Sequence, residues 1–292
     1  MAESEQIAIL GLGLMGGSLG LALKRSPQSG PVAGFARREE TRRAALEAGA
    51  VDTVYDDPAE AVRGASCIVI SVPVLATAPL LERCLDSLAC GAVVTDVGST
   101  KQKVTDDARV VLQGNPAVFV GSHPIAGSDQ AGLDAAMANL YEGATVVVTR
   151  DQDAETSEPE RRICTLWEGV GAHVAVMSPE AHDRILARTS HLPHMVASLL
   201  ARTVGRGGGG DEVGSYCGAG FLDTTRIAGG APAVWLDILR TNRVNVDREL
   251  GEFARYLDTL REGLRKSDDE ALESLLFEAK EIRQSLERAS QG

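Results

Sequence analysis

The chain has 292 residues, enough for two domains with separate cores, and its 44% hydrophobic and 24% charged composition is that of an ordinary globular protein. A formal net charge of −12 excludes a nucleic-acid binder, which needs clustered lysine and arginine, but leaves room for a local cationic pocket that takes a small anion. The five cysteines, Cys67, Cys84, Cys90, Cys164 and Cys217, form no CxxC pair, and a scattered odd count fits a reducing compartment.

The first five residues are polar and acidic, unlike a signal peptide, and the glycine-broken apolar run 7–23 is too short to span a bilayer. The expectation is a cytoplasmic protein with no membrane partner. Apolar runs predict strands at 7–10, 32–36, 67–72, 92–97, 118–120, 145–149 and 174–177, separated by helical stretches. Continuous valine and isoleucine, rather than alternation, marks strands covered on both faces. After Ser178-Pro179 the rhythm turns helical. The expected fold is therefore α/β, a Rossmann-type doubly wound, mostly parallel sheet in residues 1–177 followed by an all-helical domain in 178–292.

The first run leads straight into Gly11-Leu12-Gly13-Leu14-Met15-Gly16 and then a helix-compatible stretch. In that context Gly11 permits a tight turn, Gly13 lets a pyrophosphate approach the backbone, and Gly16 lets helix pack on strand. Leu14 and Met15 offer the free N–H groups of a helix N-terminus. These residues are candidates for dinucleotide binding. About 20 residues on, such folds place Asp or Glu on the ribose hydroxyl. Here that position is Ala36, followed by Arg37 and Arg38. The missing carboxylate and the paired guanidiniums point to a 2′-phosphate, hence NADP with NAD the less favoured cofactor. The competing reading has Arg37 and Arg38 as solvated charges opening a helix with Glu39 and Glu40.

Ligands of open α/β sheets bind beyond the carboxyl ends of the strands. The next strand ends in Ser71-Val72-Pro73, where Ser71 and Pro73 are expected to line the cofactor. The following ones end in Asp96–Lys101, with the hydroxyl of Ser99, and in Gly121-Ser122-His123-Pro124. An imidazole titrates near neutrality and suits the proton that leaves a hydroxyl as hydride departs, so His123 is the candidate base. His173 and His182 read as structural. In the helical half, Ser190-His191-Leu192-Pro193-His194 sets two histidines three apart on a helix N-terminal turn. No third ligand stands near, so no metal is expected. Substrate contact and buried hydrogen bonding fit these histidines equally. Arg226 offers a fork for a carboxylate, or else a salt bridge to Asp223. Val246, Leu250, Phe253, Leu257, Leu260 and Leu264 form a helical stripe that suits an intrachain core or a subunit interface. The tract 205–210 reads as a mobile surface loop.

Together the glycine loop, TDVGSTK at 95–101, GSHPIAG at 121–127, NLYEG at 139–143, SPE at 178–180, residues 190–194 and 221–228, and Trp235 resemble the prephenate/arogenate dehydrogenase family of tyrosine biosynthesis. The resemblance implies oxidative decarboxylation: hydride leaves the hydroxyl-bearing ring carbon for the nicotinamide while the ring loses carbon dioxide and becomes aromatic. It implies that His123 polarises or deprotonates the ring hydroxyl, that Ser99 helps orient it, and that Arg226 binds a carboxylate. Ser190, His191 and His194 would then shape the substrate pocket, with Asp223 and Trp235 in support. It also implies a homodimer built on the helical domain. Many members carry an acid where this chain has Ala36. With the helical tail ending at Gly292, any tyrosine feedback is expected at the substrate pocket itself. An acid facing the substrate side chain would favour arogenate over prephenate, and Asp129 and Asp151 are candidates. An alternative reading has a specialised prephenate analogue as the substrate. A β-hydroxyacid dehydrogenase shares the glycine loop but relies on a lysine in its helical domain, where only Lys266 and Lys280 stand, both in the polar tail. A non-catalytic NADP sensor would need neither His123 nor Arg226.

Overall fold

A computed structural model describes residues 5–26, 30–126, 130–152, 154–206 and 213–290. Asp129 and most of the 205–210 tract lie outside these residues. Six strands, β1 (Ile7–Leu10), β2 (Val32–Phe35), β3 (Thr53–Tyr55), β4 (Cys67–Ile70), β5 (Val93–Asp96) and β6 (Val118–Phe119), form a parallel sheet ordered β3-β2-β1-β4-β5-β6. Strands β1, β2, β4 and β5 are buried along their whole length, as their unbroken apolar runs require. Alternate residues feed two cores: Ile7 and Ile9 pack with Leu19 and Trp167, Ala8 and Leu10 with Ile68 and Leu81. The short edge strand β3 had no readable periodicity.

The sequence suggested one sheet; the structure has two. A second sheet joins β7 (Ser122–Ile125), β8 (Thr145–Thr149) and β9 (His173–Met177), with β7 antiparallel to β8 and β8 parallel to β9. His123 thus sits inside a strand rather than on a loop beyond one. Only two residues, Val120 and Gly121, separate β6 from β7, so the sequence alone reads as a single strand end.

Helices α1 (Leu14–Arg25), α2 (Glu39–Glu47), α3 (Pro58–Ala61), α4 (Thr77–Glu82), α5 (Gln102–Val111) and α6 (Glu158–Glu168) alternate with the strands. Then follow α7 (Pro179–Leu186), a π-helical turn (Ala187–His191), α8 (Leu192–Arg206), α9 (Ala219–Thr225), α10 (Pro232–Thr241), α11 (Arg243–Lys266) and α12 (Asp269–Ser290). Ser178 caps α7 through its hydroxyl and Pro179 opens it, a start signal legible in the sequence. Contacts divide the chain into two compact units, 1–243 and 244–292. In the second, Gly263 lets α11 and α12 pack closely, since a Cβ there would come within 2.9 Å of Leu272. Phe253, Leu257 and Leu264 of the expected stripe are exposed in the chain, as are Leu276, Phe277 and Leu286 on α12. No helix among the described residues is long and apolar enough to cross a membrane.

Candidate active site

The strand order reverses between β1 and β4, and their ends lie side by side, with the Ser71 amide donating to the Leu10 carbonyl at 2.8 Å. Gly11 turns there with φ of +111°, and a Cβ would sit 2.2 Å from the Ser71 carbonyl oxygen. Gly16 is as constrained, its Cβ falling 1.9 Å from the Gly11 carbonyl. Gly13 has no atom within 4 Å of its missing Cβ, so its open face looks into space a ligand can fill. Gly13 is also the N-cap of α1, which has no side-chain cap and no acid in its first turn. Free amides at Leu14 and Met15 and the positive helix end are what a pyrophosphate requires, so the residues present fit a dinucleotide. A cavity of about 490 Å³ runs from this loop past Ala36 to Arg37, Arg38 and Thr41. Ala36 is buried, both arginines are exposed, and neither forms an ion pair with Glu39 or Glu40. Arg42 instead donates to the carbonyls of Ala36 and Arg37, both at 3.0 Å, fixing that turn.

Next along the rim, Val72 and Val74 reach the loops after β1 and β5: a Cβ on Gly11 would lie 3.0 Å from Val72, and one on Gly98 3.2 Å from Val74. Ser71 is half-buried and Pro73 exposed. Below this rim is a closed polar network. Asp96, fully buried, accepts from the Gly98 amide at 2.8 Å and the Ser122 amide at 3.2 Å, and pairs with the buried Lys101 ammonium. Lys101 Nζ also donates to the Ser122 carbonyl at 2.7 Å, directly beneath His123. The Ser122 hydroxyl ties in Trp167, whose indole N–H donates to it at 3.0 Å. His123 itself is half-buried, and its Nδ1 lies 2.8 Å from Nε2 of the buried His182. His182 Nδ1 in turn lies 2.8 Å from Asp183 Oδ1. Burial, then the neighbouring His182 ring, the Lys101 ammonium and His191, hold the His123 pKa well below its ordinary value, so the ring is neutral at neutral pH.

Residues 19–176 match the prephenate dehydrogenase nucleotide-binding domain family, and residues 178–278 the prephenate dehydrogenase dimerization domain family. The prephenate dehydrogenase of Bacillus subtilis is 36% identical over 290 residues, covering 99% of this chain and 78% of that protein. The cyclohexadienyl dehydrogenase of Zymomonas mobilis is 31% identical over 291 residues, 98% of this chain and 97% of that one. Among solved structures, A. aeolicus prephenate dehydrogenase in complex with hydroxyphenyl propionate and NAD+ superposes with a TM-score of 0.89 at 32% identity, covering 97% of this chain and 98% of that one. The chain belongs to the prephenate dehydrogenase family.

The remaining residues singled out by their likeness to this family fall in two groups. His191 and His194 are buried, but on a continuous helical run through the π-turn, not on a helix N-terminus as the sequence suggested. Pro193 follows the extra residue of that turn, where its missing N–H breaks no regular ladder. His191 Nδ1 lies 3.2 Å from the Asn242 amide, which also donates to the Asp183 carbonyl at 2.7 Å. Burial lowers the His191 pKa to about 4. His194 stacks on Trp235, ring centroids 3.4 Å apart at 14°. So Trp235 packs on the histidine pair, and Asn242 joins that pair to the His182–Asp183 segment.

The second group is open. Ser190 and Ser99 are half-buried, and neither hydroxyl has a hydrogen bond among the described residues. Arg226 is exposed at the end of α9, and the alternative salt bridge to Asp223 is not formed. Asp151 pairs with Arg109 at 2.6 Å on the surface. His173 is exposed, while His182, read from the sequence as structural in the same way, contacts His123. The signal for His182 was available in the dipeptide His182-Asp183, set one turn into a helix whose start the sequence announces.

Proposed function

We propose that the chain catalyses the oxidative decarboxylation of prephenate, arogenate or both, with NADP as hydride acceptor, in the making of tyrosine. The observation that supports this reading is a neutral, half-buried imidazole, His123, backed by His182 and Asp183. Gly11, Gly13 and Gly16 keep the backbone clear of the pyrophosphate, and the amides of Leu14 and Met15 bind it. Ser71 and Pro73 flank the nicotinamide end. Arg37 and Arg38 hold the 2′-phosphate, with Ala36 offering no carboxylate to repel it. When bound, the dinucleotide supplies the carbon that receives the hydride. His123 accepts the ring hydroxyl proton, and Ser99 holds that hydroxyl toward it. Arg226 binds a substrate carboxylate, while Ser190, His191 and His194 shape the pocket. Loss of carbon dioxide makes the ring aromatic, which drives the reaction forward.

Residues 1–177 bind the nucleotide and 178–292 complete the substrate pocket and dimerise. The exposed apolar faces of α11 and α12 support a homodimer, and the unpaired cysteines support a cytoplasmic setting. One steady-state matrix tests the reading: prephenate and arogenate, each with NAD and NADP. The expected result is turnover of at least one diene, with kcat/KM higher for NADP. A higher value for NAD, the cofactor in the A. aeolicus complex, refutes the role of Arg37 and Arg38. No turnover of either diene refutes the substrate.

A further inference from the structure

Asp183 reaches from α7 to the start of α5, where its oxygens accept from the backbone amides of Lys101 at 2.7 Å and Gln102 at 3.1 Å. A backbone N–H only donates, so the Asp183 side chain faces its surroundings as an acceptor. His182 Nδ1, at 2.8 Å from the same Oδ1, must therefore carry the proton. In a neutral ring this leaves Nε2 of His182 with its lone pair, and that nitrogen faces His123 Nδ1 at 2.8 Å. His123 then donates from Nδ1, and its Nε2 is left bare. Among the described residues His123 makes no other side-chain hydrogen bond.

We propose that His123, His182 and Asp183 form a proton relay in which two imidazoles hold matched Nδ1–H tautomers and the accepted proton comes to rest on His182. The inference rests on the functional reading above for the source of the proton. As hydride leaves the ring carbon for the nicotinamide, the hydroxyl O–H bond breaks and an N–H bond forms at His123 Nε2. The Nδ1–H bond of His123 breaks as the same proton bonds to Nε2 of His182. His123 ends neutral in its other tautomer, and His182 ends as an imidazolium whose Nδ1–H is held by the Asp183 carboxylate.

The direct contact of His182 with Asp183 favours such a transfer. A charge left on His123 would lie near the Lys101 ammonium and among buried groups, with His191 also near. Lys101 is offset by Asp96, but among the described residues no carboxylate is hydrogen-bonded to His123. On His182 the charge meets Asp183 directly, and Asp183, together with the more distant Asp96, favours the protonated ring against its burial and against the Lys101 ammonium. At rest burial prevails and lowers the His182 pKa, which keeps its Nε2 free to accept. His182 thus acts through His123 as a positioning residue that also stores the proton.

Nitrogen-15 spectra of histidine-labelled protein, at neutral pH with NADP+ bound, test the tautomers without relying on activity. The expected result is Nδ1–H, the rarer tautomer, on both His123 and His182, with scalar coupling between His123 Nδ1 and His182 Nε2. An Nε2–H tautomer on His123 overturns the relay. The kinetic test is His182→Gln, whose carbonyl can still accept from His123 but cannot take up a proton. We expect kcat to fall tenfold or more, KM for diene and cofactor to stay within threefold, and the curved proton inventory of the parent enzyme to become linear. A loss below tenfold, or an unchanged inventory, overturns the proposal. If His182→Gln does not fold, the spectra of the parent protein decide. A parent enzyme inactive on both dienes but showing the Nδ1–H pair would break the functional reading and leave the hydrogen-bonded chain standing.

Discussion

The dinucleotide cleft takes its glycine loop and both arginines from one run of chain, residues 11–41, whereas the network behind His123 is closed by a hydrogen bond spanning 82 residues of sequence. The cleft works through backbone: a positive φ at Gly11, an uncapped helix start at Gly13, and exposed cations at its mouth. The His123 network works through side chains that are buried and paired, so every member depends on partners from other elements. A site of the first kind is written in local sequence. One of the second kind exists only once the chain has folded, and it is the more easily destroyed.

His123→Asn is the largest expected single effect. Asparagine keeps a donor toward His182 but removes the base, so kcat should fall by about 10²–10⁴ while cofactor affinity, set at the other end of the cleft, holds. Stopped-flow turnover alongside a direct NADP titration checks both halves of that statement. A kcat within tenfold of the parent would dismiss His123 as the base.

That asymmetry explains what could be read in advance. Periodicity and the Gly11–Gly16 spacing located the parallel sheet and the nucleotide loop because their causes are local. The second sheet was invisible because β7 follows β6 after two residues and only its pairing with β8 separates them. His182 read as a structural histidine, and nothing local marked Lys101 as buried, because burial of a charge is decided by tertiary neighbours. The π-turn at 187–191 has no periodic signature that a five-residue window could show.

Lys101→Met tests the closed network through stability. Lys101 is fully buried, and its removal leaves the Asp96 carboxylate with two amide donors and no cation. Breaking a buried pair from one side costs about 3–5 kcal/mol, so thermal unfolding should move down by many degrees. The doubly changed Asp96→Leu, Lys101→Met protein should recover part of that loss, because no uncompensated charge remains. Equal stability of the single variant and the parent would show that Lys101 is not buried as a charge.

The open cleft should respond differently. Arg37→Ala with Arg38→Ala removes exposed side chains that hold nothing else, so stability should not change. Each charge-assisted bond to a 2′-phosphate is worth about 1.5–3 kcal/mol, so KM for NADP should rise roughly 10- to 100-fold per lost bond while KM for NAD stays put. Parallel loss for both cofactors would mean that the arginines serve the cleft's general potential, not the 2′-phosphate.

The smallest effect sharpens the contrast most, because it separates a neutral buried ring from a charged one. His191 is buried with its Nδ1 toward the Asn242 amide, and its pKa falls from 6.5 to about 4. Between those values the unfolded chain binds a proton that the folded chain refuses. Stability is therefore whole above pH 6.5 and declines as pH falls toward 4, by about 1.4 kcal/mol per pH unit at most from this residue. His123, His182 and His194 shift in the same direction, so the parent protein should lose stability in acid more steeply than one site allows. His191→Gln should shallow that decline by one proton's worth between pH 4.5 and 6, at the cost of about 1 kcal/mol near pH 7 for the altered contact with Asn242. Urea titrations of both proteins across that range measure the difference directly. Equal slopes would mean that His191 takes up its proton in the folded state, and that the helical half of the pocket is wetter than the His123 network it adjoins.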